Sequence, residues 1–305
     1  MEFSKNNYFG YILKGDLIGA LNYIKQFPEQ MGLYKKYMTI SEQEEYISYP
    51  LDADLNGILL RYQQYYRDVF FLRLDNEEAA DRLRIRFMEY LEIKDKRTAL
   101  SDIEDQIAEI FKHKGFHFLG GKTSGYYGPY IWKSIETKIF EVELPKGNQS
   151  YRVDLLDGFV TKSWLDYLSF GEIGTGGWTN GDGIINCIKS SYDFDSENFK
   201  VSLLKHEAQH ARDLSILKNI STEELEYRAK LVEMIYSKER NLLETFSNEA
   251  DESAKNNSHS LASNRIVEGF IKKSNLSRAE FNKLSIEQIQ SIAKALFEEN
   301  EKLLV

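Results

Sequence analysis

Between Leu203 and Asp213 the chain reads Leu-Leu-Lys-His-Glu-Ala-Gln-His-Ala-Arg-Asp. It contains His206-Glu207-x-x-His210, two histidines four residues apart with a glutamate beside the first. On a helix, residues at that spacing share a face one turn apart. Two imidazoles so placed converge on one zinc ion and leave room for a third ligand and a water. Zinc lowers the pKa of such a water to about 7. Glu207 then sits where a general base takes the proton and passes it to a leaving amine.

The segment that carries these residues has helical periodicity. Val201, Leu204, Ala208, Ala211 and Leu214 form an apolar stripe, while His206, His210 and Asp213 lie on another face. The helix is expected to pack on one side and present its polar groups to a cleft on the other. The competing reading is a chance match on a structural histidine pair.

A second helix is predicted from Ser221 to Met234, with Ser221 or Thr222 as N-cap and Glu224 at the capping-box position. Leu225, Ala229, Val232 and Tyr236 make its apolar stripe, and Glu226 and Glu233 share another face. A carboxylate from a following helix is the expected third ligand, with Glu226 first and Glu233 second. The alternative for both is a solvated acidic face. Asp213 is a rival, but it lies about 10 Å along the helix axis from His206. A short side chain there is better suited to bonding an imidazole or an arginine such as Arg228.

The H-E-x-x-H helix followed by a glutamate-bearing helix resembles the zincin metallopeptidases in their gluzincin branch. The resemblance covers residues 170–240, with support to 265. It implies a helix pair below a twisted sheet whose edge strand aligns a peptide substrate. It implies His206, His210 and Glu226 as zinc ligands and Glu207 as general base. The short interval between His210 and Glu226 departs from the most familiar members.

The remaining sequence must position this segment. The chain has 305 residues, 42% hydrophobic and 13% aromatic, enough for a substantial core in one large domain or two ordinary ones. A net charge of −9 disfavours a general nucleic-acid surface. No run of about 20 apolar residues marks a membrane span. Met1-Glu-Phe-Ser-Lys-Asn-Asn7 lacks the apolar core of a signal peptide. A single cysteine, Cys187, excludes an internal disulfide and fits a reducing cytosol, so the expected location is cytoplasmic. Cys187 lies in an apolar strand-like run and is expected to be buried and inert.

Residues 1–100 read as a helical region. A helix over 16–27 stops before Pro28. Residues 15–28 resemble half of a tetratricopeptide repeat, with no second copy at a matching period. Ser41-Glu-Gln-Glu44 reads as a capping box. Two longer helices are predicted over 51–74 and 77–91, and Tyr62, Tyr65, Tyr66, Phe70 and Phe71 are expected to pack. The polar stretch 92–98 is taken as a domain boundary. A further helix opens at Ser101 and ends at Gly115.

From Gly115 the pattern becomes strand-like. Gly120–Gly128 lacks the spacing of a phosphate loop and reads as a β-turn. Segments 137–144 and 151–156 form a predicted hairpin. Gly174–Ile188 contains the turn signal Asn180-Gly181 and reads as a second hairpin just before the histidine helix, suited to binding an extended peptide. His113 and His117 read as surface or packing residues. His259, downstream of the glutamate helix, is a candidate donor to an oxyanion. Residues 266–305 read as supporting helices.

The expected architecture is α+β, with a zincin-like domain and small twisted sheet at 101–305 preceded by the helical region. The expected function is zinc-dependent hydrolysis of a peptide or protein substrate, without nucleic acid or membrane, the N-terminal helices offering a surface for a protein partner. Two alternatives stand beside it: a helical interaction module with a degenerate motif, and a zinc hydrolase of a non-peptide amide.

Overall fold

The computed structural model describes residues 2–42, 46–179, 182–252 and 257–304. The first helices are α1 (Lys5–Leu13), α2 (Leu17–Ile24), α3 (Met31–Glu42), α4 (Ala53–Tyr66), α5 (Asn76–Tyr90) and α6 (Leu100–His113). Short strands follow: β1 (His117–Leu119), β2 (Lys122–Thr123), β3 (Tyr126–Tyr127) and β4 (Tyr130–Trp132). Then come β5 (Ser134–Leu144), β6 (Gly147–Asp157), β7 (Thr161–Lys162), α7 (Ser163–Leu168), β8 (Gly177–Thr179) and β9 (Ile185–Ile188). The chain closes with α8 (Leu204–Ile216), α9 (Thr222–Tyr236), α10 (Asn241–Glu249), α11 (Ser258–Ser274) and α12 (Ile286–Leu304). It is a mixed helix-and-sheet protein, and no helix among the described residues is long and apolar enough to cross a membrane.

Contacts divide the chain into two compact units, Met1–Ser134 with Asp157–Thr175, and Ile135–Leu156 with Gly176–Val305. This differs from a split at residue 100. Helix α6 buries Ile103, Ile107 and Phe111 in the same core as the N-terminal helices, so residues 101–134 fold with them.

In the first unit, Asp16, Asp52 and Asp75 accept backbone N–H groups at the starts of α2, α4 and α5. Each satisfies a donor that the first turn of a helix leaves without a partner. Helix α4 passes into a wider π-helical turn, Arg67–Phe71, so the helix expected over 51–74 is interrupted. Tyr62, Tyr65, Tyr66 and Phe70 are buried, and Phe71 packs partly buried against them. Buried phenols need partners. Tyr62 donates to Glu104 Oε1 at 2.6 Å, and Glu104 Oε2 accepts from the Gly121 N–H at 2.9 Å. Gly121 and Gly125 adopt φ of 95° and 88° in the loop that holds the β2–β3 pair, a turn that L-residues resist. Ser41 lies in the last turn of α3 rather than at a helix start, while Gln43 and Glu44 fall outside the described residues.

In the second unit, β5 and β6 are joined by Pro145 and Lys146, and the sheet order is β5-β6-β9-β8. Strand β9 pairs parallel with β6, Val153 opposite Ile185, and antiparallel with β8, Gly177 opposite Cys187. The turn signal Asn180-Gly181 between β8 and β9 lies outside the described residues. Val142, Val153, Leu155, Ile185 and Cys187 share one core with Phe199, Leu204, Ala208, Leu231 and Val232. Full burial of a side chain such as Leu231 contributes about 1.5–3 kcal/mol.

A π-helical turn, Asn198–Leu203, leads into α8. Val201 is buried within that turn, as the apolar stripe expects, whereas Leu214 is 38% exposed. Helix α9 packs against α8, α11 and α12, and every residue from Tyr227 to Met234 is buried. The expected one-sided stripe is therefore replaced by burial on all sides. Ser221 caps α9 by accepting from the Glu224 N–H, but the Glu224 side chain turns to Arg265 at 2.7 Å rather than back to the cap.

Burial pushes the Cys187 thiol up to about 12. At pH 8 it is a neutral thiol, and the thiolate is the reactive form. A chromogenic disulfide reagent at pH 8 is expected to leave the native chain unmodified and to titrate one thiol in denaturant. Rapid native labelling would show that β9 is open to solvent.

Candidate metal centre

Helix α8 sets His206 and His210 one turn apart, both buried, with ring centroids 4.5 Å apart and planes at 86°. Helix α9 brings Glu226 against both. Its Oε2 lies 3.5 Å from His206 Nε2, and its Oε1 lies 3.5 Å from His210 Nε2. That distance is too long for a hydrogen bond. It matches the roughly 3.3–3.5 Å between two ligand atoms that sit about 2.0–2.2 Å from one tetrahedral zinc. Among the described residues, His210 Nδ1 is buried without a hydrogen-bond partner. Two imidazole nitrogens and a carboxylate held at that spacing suit zinc.

Glu233 lies two turns further along α9 and takes a different place. Its Oε1 is 2.6 Å from His206 Nδ1. A carboxylate holding Nδ1–H fixes the tautomer in which the Nε2 lone pair is free for a metal. Glu233 therefore orients the His206 ring from its Nδ1 side, while Glu226 faces the two Nε2 atoms. Glu207 is half-buried, and one oxygen of it lies within 4.8 Å of a ring nitrogen from each histidine. It borders the same point in space from α8 itself.

Asn257 caps α11 by accepting from the Ser260 N–H, and His259 sits in that first turn. Its Nδ1 comes within 3.0 Å of Glu226 Oε2, and its side chain is 54% exposed, so it has access to solvent and to anything entering from it. His113 ends α6, and His117 stacks on Trp132 with planes at 14°; both belong to the first unit.

Asp213 points away from the histidines. Arg228 Nε donates to its Oδ2 at 2.7 Å, and Gln209 Nε2 donates to its Oδ1 at 2.8 Å. Arg228 also donates to Asn300 Oδ1 at 2.9 Å and Glu301 Oε2 at 2.7 Å. These bonds fix α8, α9 and α12 against one another. Sequence reading missed Gln209, Asn300 and Glu301, and it missed buried Lys230, whose Nζ donates to Ser263 at 2.9 Å and to Glu249. No local motif marks them, because their partners are remote in sequence.

Burial alone would lower the His206 pKa, but Glu226 and Glu233 outweigh it and raise it well above the ordinary imidazole range. Burial alone would raise Glu226, but His206, His210 and His259 hold its carboxyl below the ordinary range.

Comparisons with protein-family models, with curated proteins and with solved structures give no match.

The expected metal behaviour separates the carboxylates. Equilibrium dialysis with zinc should give about one ion per chain, lost in His206→Ala, His210→Ala and Glu226→Ala. Glu233→Gln should weaken binding about 10–100-fold without abolishing it. Asp213→Ala should cost about 1.5–3 kcal/mol in denaturant unfolding, since it removes one of the two carboxylates that Arg228 bonds, while the folded fraction still binds zinc. Release of zinc by Asp213→Ala alone would overturn this ligand set.

Proposed function

We propose that the second unit is a zinc-dependent peptidase of zincin-like architecture, with His206, His210 and Glu226 as ligands. The observation that carries this reading is the paired 3.5 Å approach of the two Nε2 atoms to the two oxygens of Glu226, with His206 Nδ1 held by Glu233. Zinc, when bound there, supplies a Lewis acid that activates water near neutral pH and polarises a carbonyl. Glu207 accepts a proton from the attacking water and delivers it to the departing amine. Glu233 keeps the His206 ring in its working tautomer and orientation. His259, more than half exposed beside Glu226, donates to the oxyanion that develops on the substrate carbonyl.

Substrate alignment falls to β8. It is a sheet edge adjacent to α8, and an extended peptide can add to such an edge by main-chain hydrogen bonds. The backbone there is tightly packed: a Cβ on Gly177 would lie 2.5 Å from the Asn186 carbonyl oxygen and 2.7 Å from Leu203 Cδ1. The glycine lets β8 lie directly against β9 and Leu203.

Glu207→Gln tests the reading. Glutamine keeps the size and loses the proton acceptor. The variant should bind zinc as the parent does and lose about 10²–10⁴-fold in turnover of a fluorogenic peptide library. Near-normal turnover would remove Glu207 from the mechanism. Turnover of amide substrates other than peptides by the parent would redirect the substrate class and leave the metal centre in place.

A further inference from the structure

The same sheet has a second edge, β5, which the proposed chemistry does not use. We infer that β5 is the surface through which a second copy of this chain pairs, strand against antiparallel strand, about a two-fold axis at Thr137.

The strand is unusual for an edge. It is 11 residues long, and Ser134 through Ile139 are all exposed. Ile135 and Ile139 are large apolar side chains that are 40% and 66% exposed. Edge strands are commonly protected by proline, bulges, short length or charged side chains, since their open backbone groups template further pairing; β5 has charges, but Glu136 and Lys138 form a self-complementary pair. Residues 134–144 contain no proline and no glycine.

The direction of the open backbone groups follows from Glu143. Its carbonyl oxygen accepts from Lys205 Nζ at 2.5 Å, so it is turned to a side chain rather than into the ladder. Alternate residues of a strand direct their N–H and C=O to the same side. Ile135, Thr137 and Ile139 therefore direct theirs outward, as Glu143 does. A two-fold axis at Thr137 sets these groups opposite their own counterparts, donor to acceptor.

The side chains fit the same register. An axis at Thr137 places Ile135 opposite the Ile139 of the other copy, and Glu136 opposite its Lys138. Glu136 and Lys138 each meet the opposite charge, and each exposed isoleucine meets an isoleucine. Shifting the axis by one residue to Lys138 would set Glu136 opposite Phe140 and Lys138 opposite itself. Glu136 is held by Lys189 at 2.8 Å and by Lys138 at 3.1 Å, which orders its carboxylate beside the strand. Cross-strand pairs of opposite charge and of β-branched residues stabilise an antiparallel ladder, and like charges directly opposite destabilise it.

Charge exchange tests this surface. The full chain is examined by sedimentation equilibrium between about 1 and 100 μM. A monomer–dimer equilibrium is expected within that range. Glu136→Lys sets lysine against lysine, and Lys138→Glu sets glutamate against glutamate; each alone should weaken dimerisation about tenfold or more. Mixed in equal amounts, the two variants carry complementary strands and should form a heterodimer. Thr137→Pro removes the N–H at the axis, which faces away from the sheet, and should also yield monomer. The inference is overturned by a parent chain that stays monomeric throughout. It is equally overturned by variants that dimerise as the parent does, or by a mixture that stays dissociated while each variant is folded. An outcome in which only unrelated extended peptides bind β5 would overturn the self-pairing as well.

Discussion

A charge removed from water must be met by an opposite charge or by hydrogen bonds, and α9 carries that demand on several sides at once. Arg228, Lys230 and Glu233 are buried along it, with Glu226 half-buried at the end of the same run. Each is answered by a different neighbour. Glu233 faces His206 on α8; Arg228 faces Asp213 on α8 and Glu301 on α12; Lys230 faces Glu249 and Ser263 on α10 and α11. An unpaired charge at any of these positions is more costly than the pair is favourable. The pairs therefore select one packing of the surrounding helices, and that packing leaves Glu226 facing the two histidines.

The parts of this arrangement that were legible in the sequence share a local cause. His206 and His210 are one turn apart on a single helix, and Ser221 caps the next helix at short range. The hairpin of β5 and β6 has its turn residues between its strands. Periodicity also separates Glu226 from Asp213, because both positions are fixed by helix geometry. What could not be read depends on distance. Glu226 and Glu233 look alike as exposed acidic residues of one predicted face, and only the packing of α8 on α9 sends one to the Nε2 side and the other to Nδ1. The burial of Lys230 has no local sign, because a lysine on a helix ordinarily faces water. The unit boundary was hidden for a related reason. The polar stretch at 92–98 looks like a linker, yet the apolar side of α6 returns the chain to the N-terminal core.

The two edges of the second unit's sheet answer opposite physical problems. Strand β8 is short, and Gly177 admits no side chain between it and its neighbours. Diversity at that position is closed off by packing. Strand β5 is long, and its outward side chains from Ser134 to Ile139 are unconstrained by a core. One edge is shaped by what lies behind it, the other by what can come from in front.

The remoteness of the Arg228 partners also sets an order of events during synthesis. Glu301 follows Arg228 by 73 residues, and Asn300 by 72. A ribosome adding 5–20 residues per second takes about 4–15 s to cover that interval. During that time the histidines and Glu226 have been made, but the helix that closes over α9 has not. Completion of the last helix is thus the event that holds Arg228, and with it the face of α9 that carries Glu226, and a chain shortened within α12 would loosen that face without losing any residue of the histidine cluster.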